Sequence, residues 1–129
     1  MTSLRVGIAS PEEMKQRTLA IARGEVRPTA DDPKIWFPSA ESFAKVLSSK
    51  NRALLDVIAS TRPRSLQELA ERTGRQASNL SRTLKTMERY GFVHLERGPR
   101  GQVRPEVSYS EITLVLPLTT ANAKDARVA

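Results

Sequence analysis

The sequence predicts an α+β fold: a helical core with a C-terminal β-hairpin, plus an N-terminal strand-helix arm. Three observations carry this. Apolar residues recur at helical spacing in successive blocks between Ser39 and Tyr90. Two alternating runs, Phe92–Arg97 and Gln102–Tyr109, flank the turn-forming Gly98-Pro99-Arg100-Gly101. A polar stretch from Glu25 to Pro33, holding Pro28 and the pair Asp31-Asp32, sets the first strand and helix apart from the rest. The expected organisation is therefore an arm and linker over 1–33, a compact domain over 34–118 and a disordered tail over 119–129.

Each element has a local reason. From Ser3 to Ala9, Leu4, Val6 and Ile8 alternate with Arg5 and Gly7, the pattern of a strand with one buried face. Ser10-Pro11-Glu12-Glu13 then opens a helix, with a capping serine, a proline at the first helical position and acids at the positive end of the dipole. That helix runs to about Arg23 with a modest apolar face of Met14, Leu19, Ala20 and Ile21, and Gly24 stops it. Ile35-Trp36-Phe37 is a brief extended segment ended by Pro38. Ser39 caps a helix carrying Phe43, Val46 and Leu47, and Ser48 or Ser49 caps the next, which turns Leu54, Leu55, Val57 and Ile58 inward.

Ser65-Leu66-Gln67-Glu68 reads as a capping box in which Ser65 accepts from the amide of residue 68 and Glu68 from that of residue 65. The short helix it opens carries Leu66, Leu69 and Ala70 inward and ends at Thr73-Gly74. A second helix covers Gln76 to Tyr90. Its inward positions, Ala77, Leu80, Leu84 and Met87, fall within about 80° of one another at 100° per residue. Pro105 marks an edge position or a bulge in the second hairpin strand, and Glu111–Leu118 forms a further strand.

Composition excludes several function classes. The chain of 129 residues contains no Cys, so disulfides, thiolate metal sites and cysteine nucleophiles are ruled out. One His (His94) leaves no His-pair zinc site, and it reads as a structural or surface residue. Asp31-Asp32 has no third ligand nearby and reads as solvated linker. Aromatics at 5% are too few for a base-stacking single-strand binder, and Trp36 reads as a core or interface anchor. There is no nucleophile elbow, phosphate loop or metal-spacing motif. No catalytic residue, metal or cofactor is expected, and the chain is not expected to be an enzyme. No apolar run approaches the ~18 residues of a membrane span, and a soluble, cytoplasmic protein is expected.

The charge has a direction. The chain carries a net +7, which calls for an acidic partner. Between Arg62 and Arg104 lie ten cations and four anions, so nearly all of the excess sits in one stretch. With Leu80, Leu84 and Met87 facing the core, the opposite face of residues 76–90 shows Ser78, Asn79, Arg82, Lys85, Thr86 and Arg89, with no carboxylate to repel phosphate. Glu88 falls nearer the buried side, in reach of a neighbouring arginine.

The residues SLQELAERTG (65–74), QASNLSRTLKTMERYGFV (76–93) and GPRG (98–101) together resemble the winged helix-turn-helix of MarR- and ArsR-like transcription regulators. Through PKIWFPSAESFAKVLS and its layout, the chain also resembles a family of short, antitoxin-like predicted regulators of bacteria and archaea. The resemblance implies that the second helix enters the major groove and that the hairpin wing follows the backbone or minor groove. The base-edge candidates are then Gln76, Ser78, Asn79 and Arg82, and the phosphate candidates Arg75, Ser81, Lys85, Arg89 and Arg100.

The function this implies is a sequence-specific, double-stranded DNA-binding transcriptional regulator, a dimeric repressor acting by operator occupancy. The arm (3–23), the 34–47 segment and strand 111–118 are the expected homodimer elements, and the arm can equally be a docking element or a layer on the core. A second expectation, from the antitoxin-like resemblance, is a protein that docks and neutralises a small toxin enzyme while autoregulating its operon.

Overall fold

The computed structural model describes residues 2–119. The expected disordered tail therefore lies, from residue 120 on, outside the described residues. The fold is α+β, with helices α1 (Pro11–Ala22), α2 (Ala40–Val46), α3 (Ser49–Thr61), α4 (Leu66–Thr73) and α5 (Ala77–Arg89). The strands are β1 (Ser3–Ile8), β2 (Ile35–Phe37), β3 (Val93–Arg97), β4 (Val103–Val107) and β5 (Glu111–Val115). They form a three-stranded sheet in the order β2-β1-β5 and an antiparallel β3-β4 hairpin.

The chain forms two compact units. One comprises Glu41–Glu111 together with the residues up to Ser3, and the other Leu4–Ala40 with the chain from Ile112 onward. The division departs from the expected boundary at residue 33. The reason is pairing: β2 runs parallel to β1, with Val6 opposite Ile35, Gly7 opposite Trp36 and Ile8 opposite Phe37. Parallel neighbours need a crossover, and α1 with its following loop supplies it. The segment 25–33 is thus a βαβ connection inside one unit. β5 takes the other side of β1, which makes β1 the central strand. β5 stops at Val115, short of the expected Leu118, two residues before Pro117.

In the sheet-containing unit, Leu4, Val6, Ala9 and Phe37 are buried. Gly7 is buried on the other face of β1 because the Trp36 ring lies across it. The Arg17 guanidinium sits 5.4 Å from the Trp36 ring centroid and bonds Asp32 Oδ2 at 2.9 Å. Asp32 also accepts from the Thr29 backbone N–H and hydroxyl, and the amide bond above all holds its carboxyl below its ordinary pKa. Asp32 is therefore a fixed loop anchor where solvated linker was expected. Helix α1 has the reciprocal capping box that its sequence half disclosed: the Ser10 hydroxyl accepts from the Glu13 amide, and Glu13 from the Ser10 amide.

A Cβ placed on Gly7 would stand 2.5 Å from the Trp36 ring and 3.0 Å from Pro33. Gly7→Ala is expected to destabilise the protein by about 1–3 kcal/mol, because the ring must leave its place. Trp36 is the sole tryptophan, so its fluorescence reports that displacement directly. An unchanged melting temperature and emission spectrum would contradict the close packing of Trp36 on β1.

The second unit holds α2, α3, α4, α5 and the hairpin. α5 packs against α4 and β3, while α3 packs against β4 and α4. Its buried apolar residues are Leu47, Leu54, Ile58, Leu69, Leu80, Leu84, Met87, Phe92 and Val93, with Pro63 and Pro105 fully enclosed. Pro105 stands opposite Leu95 in the ladder. The Leu95 N–H turns away from β4 and donates to Glu88 Oε2 at 3.1 Å. Leu95–Pro105 is thus a non-hydrogen-bonded pair, and the missing proline N–H removes nothing from the ladder. The same bond corrects the expected role of Glu88, which is exposed and ties α5 to β3 through a backbone amide instead of pairing with an arginine.

Candidate nucleic-acid interface

Helix boundaries position this site, and each has a local cause. Ser65 caps α4 by accepting from the Glu68 amide at 3.1 Å. The other half of the expected box differs: Glu68 Oε2 accepts from the Arg64 amide at 2.8 Å, which holds its carboxyl below the usual range, while Oε1 pairs with Arg72 at 3.3 Å. Gly74 ends α4 at φ 73°, a left-handed conformation that favours glycine, and its N–H returns to Ala70 O at 2.8 Å. α5 starts three residues later, at Ala77. Its end is closed by Gly91 at φ 83°, with Phe92 N–H donating to Met87 O at 2.9 Å.

α5 has two sharply different sides. Leu80, Leu84 and Met87 are completely buried. The fourth expected core position, Ala77, is exposed. It occupies the first turn of α5, and half-buried Thr83 completes the inner side further along. The base-edge candidates Gln76, Ser78, Asn79 and Arg82 are all exposed on one end and flank of α5. Gln76 is the N-cap residue but makes no side-chain cap bond.

The phosphate candidates divide. Lys85, Arg89 and Arg100 are exposed and form no ion pair with a carboxylate among the described residues. Arg89 donates to the Thr86 hydroxyl at 3.3 Å. Ser81 is half-buried. Arg75 is half-buried too, and its guanidinium is held inside the protein: Nε and Nη2 donate to Asn79 Oδ1 at 3.2 and 2.8 Å, Nη1 to Asn51 Oδ1 at 3.3 Å and Nη2 to Thr83 Oγ1 at 3.3 Å. The signal that could have disclosed this is the spacing of Arg75, Asn79 and Thr83, successive members of one i, i+4 row.

At the hairpin, residues 98–102 turn between Arg97 and Val103. Gly98 N–H donates to Gln102 O at 2.7 Å, Gly101 takes φ 77°, and Gln102 Oε1 accepts from the Arg100 amide at 3.0 Å. The tip is therefore braced, with the Arg100 side chain outside. Arg104 pairs across the ladder with Glu96 at 2.8 Å and along its own strand with Glu106 at 3.4 Å, which raises its pKa and offsets its contribution to the positive surface. Arg64, Arg97 and Arg104 line a cleft of about 300 Å³ beside the turn, and Glu96 is the acidic residue of its lining. His94 is exposed on β3 opposite Glu106. Among the described residues no cluster of three His, Asp or Glu could hold a metal ion, and no helix is long and apolar enough to cross a membrane.

No curated protein and no solved structure matches the chain. The HVO_A0114 family model matches residues 46–114, more than half of the sequence. That span takes in α3, α4, the Gly74 turn, all of α5 and the braced hairpin, which is the entire surface just described. The chain belongs to the HVO_A0114 family.

Proposed function

We propose that Glu41–Glu111 is a winged helix-turn-helix and that the protein is a sequence-specific, double-stranded DNA-binding transcriptional regulator. In this reading α4, the Gly74 turn and α5 form the helix-turn-helix, α5 lies in the major groove, and the β3-β4 hairpin is the wing. The observation that carries the reading is the two-sidedness of α5. Leu80, Leu84 and Met87 on its inner side are wholly buried, and its outer side of Ser78, Asn79, Arg82, Lys85 and Arg89 offers amide, hydroxyl and cationic groups with no carboxylate. The only acid on α5, Glu88, is bound to a backbone amide. Such a surface suits base edges and phosphates together.

A single recognition helix buries too little surface for tight specific binding, so the acting species is a homodimer. β5 suits a two-fold contact, because it is an edge strand of its sheet, its Leu114 is 39% exposed, and Leu116 just beyond its end is 48% exposed. Occupancy of an operator by that dimer blocks transcription.

Lys85, Arg89 and Arg100 of two protomers would neutralise about six phosphates, so affinity is expected to fall roughly a thousandfold between about 50 and 200 mM salt. Fluorescence anisotropy with a labelled duplex measures this, and a footprint on the DNA upstream of the protein's own gene locates the site. A flat salt dependence, or protection no different from that on scrambled duplex, would overturn the reading.

A further inference from the structure

The Arg75 guanidinium joins three elements: Asn51 in the first turn of α3, the turn after α4, and Asn79 and Thr83 on α5. Its far end is itself anchored. The Asn51 amide N–H donates to Ser48 Oγ at 3.2 Å, and Asn51 Nδ2 donates to Val46 O at 3.0 Å. Asn51 Oδ1 is thereby turned toward Arg75.

The chemistry of the guanidinium then fixes Asn79. Arginine has five N–H donors and no acceptor, so the amide atom facing it must be oxygen. Two N–H groups converge on Asn79 Oδ1. The amide cannot turn over without setting its NH2 against a cation. Nδ2 is left outward on the exposed face of α5, with no partner among the described residues. An unrestrained asparagine in a major groove offers both an acceptor and a donor, and so matches the N6 amine and N7 of adenine. Asn79 offers a donor only.

We propose that Arg75 is a positioning residue that makes Asn79 a donor-only reader, selecting a base edge that only accepts hydrogen bonds. Guanine, with N7 and O6 side by side, is the edge with two such acceptors, thymine offers the single acceptor O4 beside its methyl group, and adenine is disfavoured because its N6 amine would meet the Asn79 NH2. This rests on the DNA-binding reading above, and it replaces the expectation that Arg75 contacts phosphate. It also accounts for a half-buried arginine at the head of a cationic helix whose other cations face solvent.

The test compares the full-length wild-type protein with Arg75→Ala and Asn79→Asp by selection from a randomised duplex library, followed by anisotropy on the selected sites at several salt concentrations. Wild type is expected to require guanine at one base pair per half-site. Arg75→Ala frees the amide, and guanine-over-adenine preference at that pair falls about tenfold. The dependence of log affinity on log salt stays the same, because no phosphate contact is lost. Asn79→Asp keeps the bracket, since a carboxylate accepts from Arg75 equally well, but turns an oxygen outward and shifts the preference to a base presenting an amine, cytosine or adenine. Asn79→Asp decides the matter even if Arg75→Ala fails to fold.

A salt slope reduced by about one in Arg75→Ala, with base preference intact, would show a phosphate contact and overturn the proposal. Unchanged preference in Asn79→Asp would overturn it as well. Wild-type binding to duplex keeps the regulator reading standing in both cases. Failure of the wild-type protein to bind any duplex is the separate result that removes that reading, and this proposal with it.

Discussion

Replacing Leu84 with alanine is expected to lower unfolding free energy by about 2–5 kcal/mol. Leu84 is completely buried at the centre of α5, between Leu80 and Met87 on the side that meets α4 and β3. Truncation removes buried methyl groups and leaves a cavity that the capped helices around it cannot close. α4 is held by Ser65 at one end and Gly74 at the other, and α5 is tied to β3 through Glu88, so neither can slide inward cheaply. Denaturant titration followed by far-UV circular dichroism measures the loss. A midpoint equal to wild type would mean that α5 presents a different side to the core, and the assignment of its outer face would fail with it.

The second large effect concerns that outer face. Arg82→Glu combined with Lys85→Glu is expected to lower duplex affinity by about a hundredfold or more at low salt, since two attractive contacts become two repulsions. Both side chains are exposed and neither is paired with a carboxylate among the described residues, so the melting temperature should hold. Anisotropy and thermal melting on the same preparation separate the two outcomes. Undiminished affinity in a folded variant would exclude α5 from the DNA contact. The same reversal on the ion-paired Arg104, whose charge Glu96 and Glu106 already balance, should matter far less.

What the sequence discloses here is mostly local. Ser10, Ser48, Ser65 and Gly74 are capping residues that act on amides or carbonyls a few positions away, and the helix limits drawn from them agree with the structure within a residue or two. The periodicity of Leu80, Leu84 and Met87 identifies the buried side of α5, and the exposed candidates follow from it. The failures share a physical cause, which is distance along the chain. Parallel pairing of β2 with β1 has no turn to announce it, so Ile35–Phe37 reads as an isolated extended segment. The Arg75 bracket reaches back 24 residues to Asn51, and a long side chain with five donors fits phosphate as well as amide oxygens until the fold is known. Arg62 adopts a left-handed conformation at φ 47° at the end of α3, where the usual glycine signal is missing.

The central place of β1 in its sheet also governs the order of events during synthesis. β1 leaves the ribosome first and β5 last, and everything matched by the family model lies between them or closes with them. At ~5–20 residues per second the nascent β1 waits roughly 5–20 s for its final neighbour. Glu41–Glu111 can fold on emergence as an insertion, while the β2-β1-β5 sheet is complete only once β5 has been made.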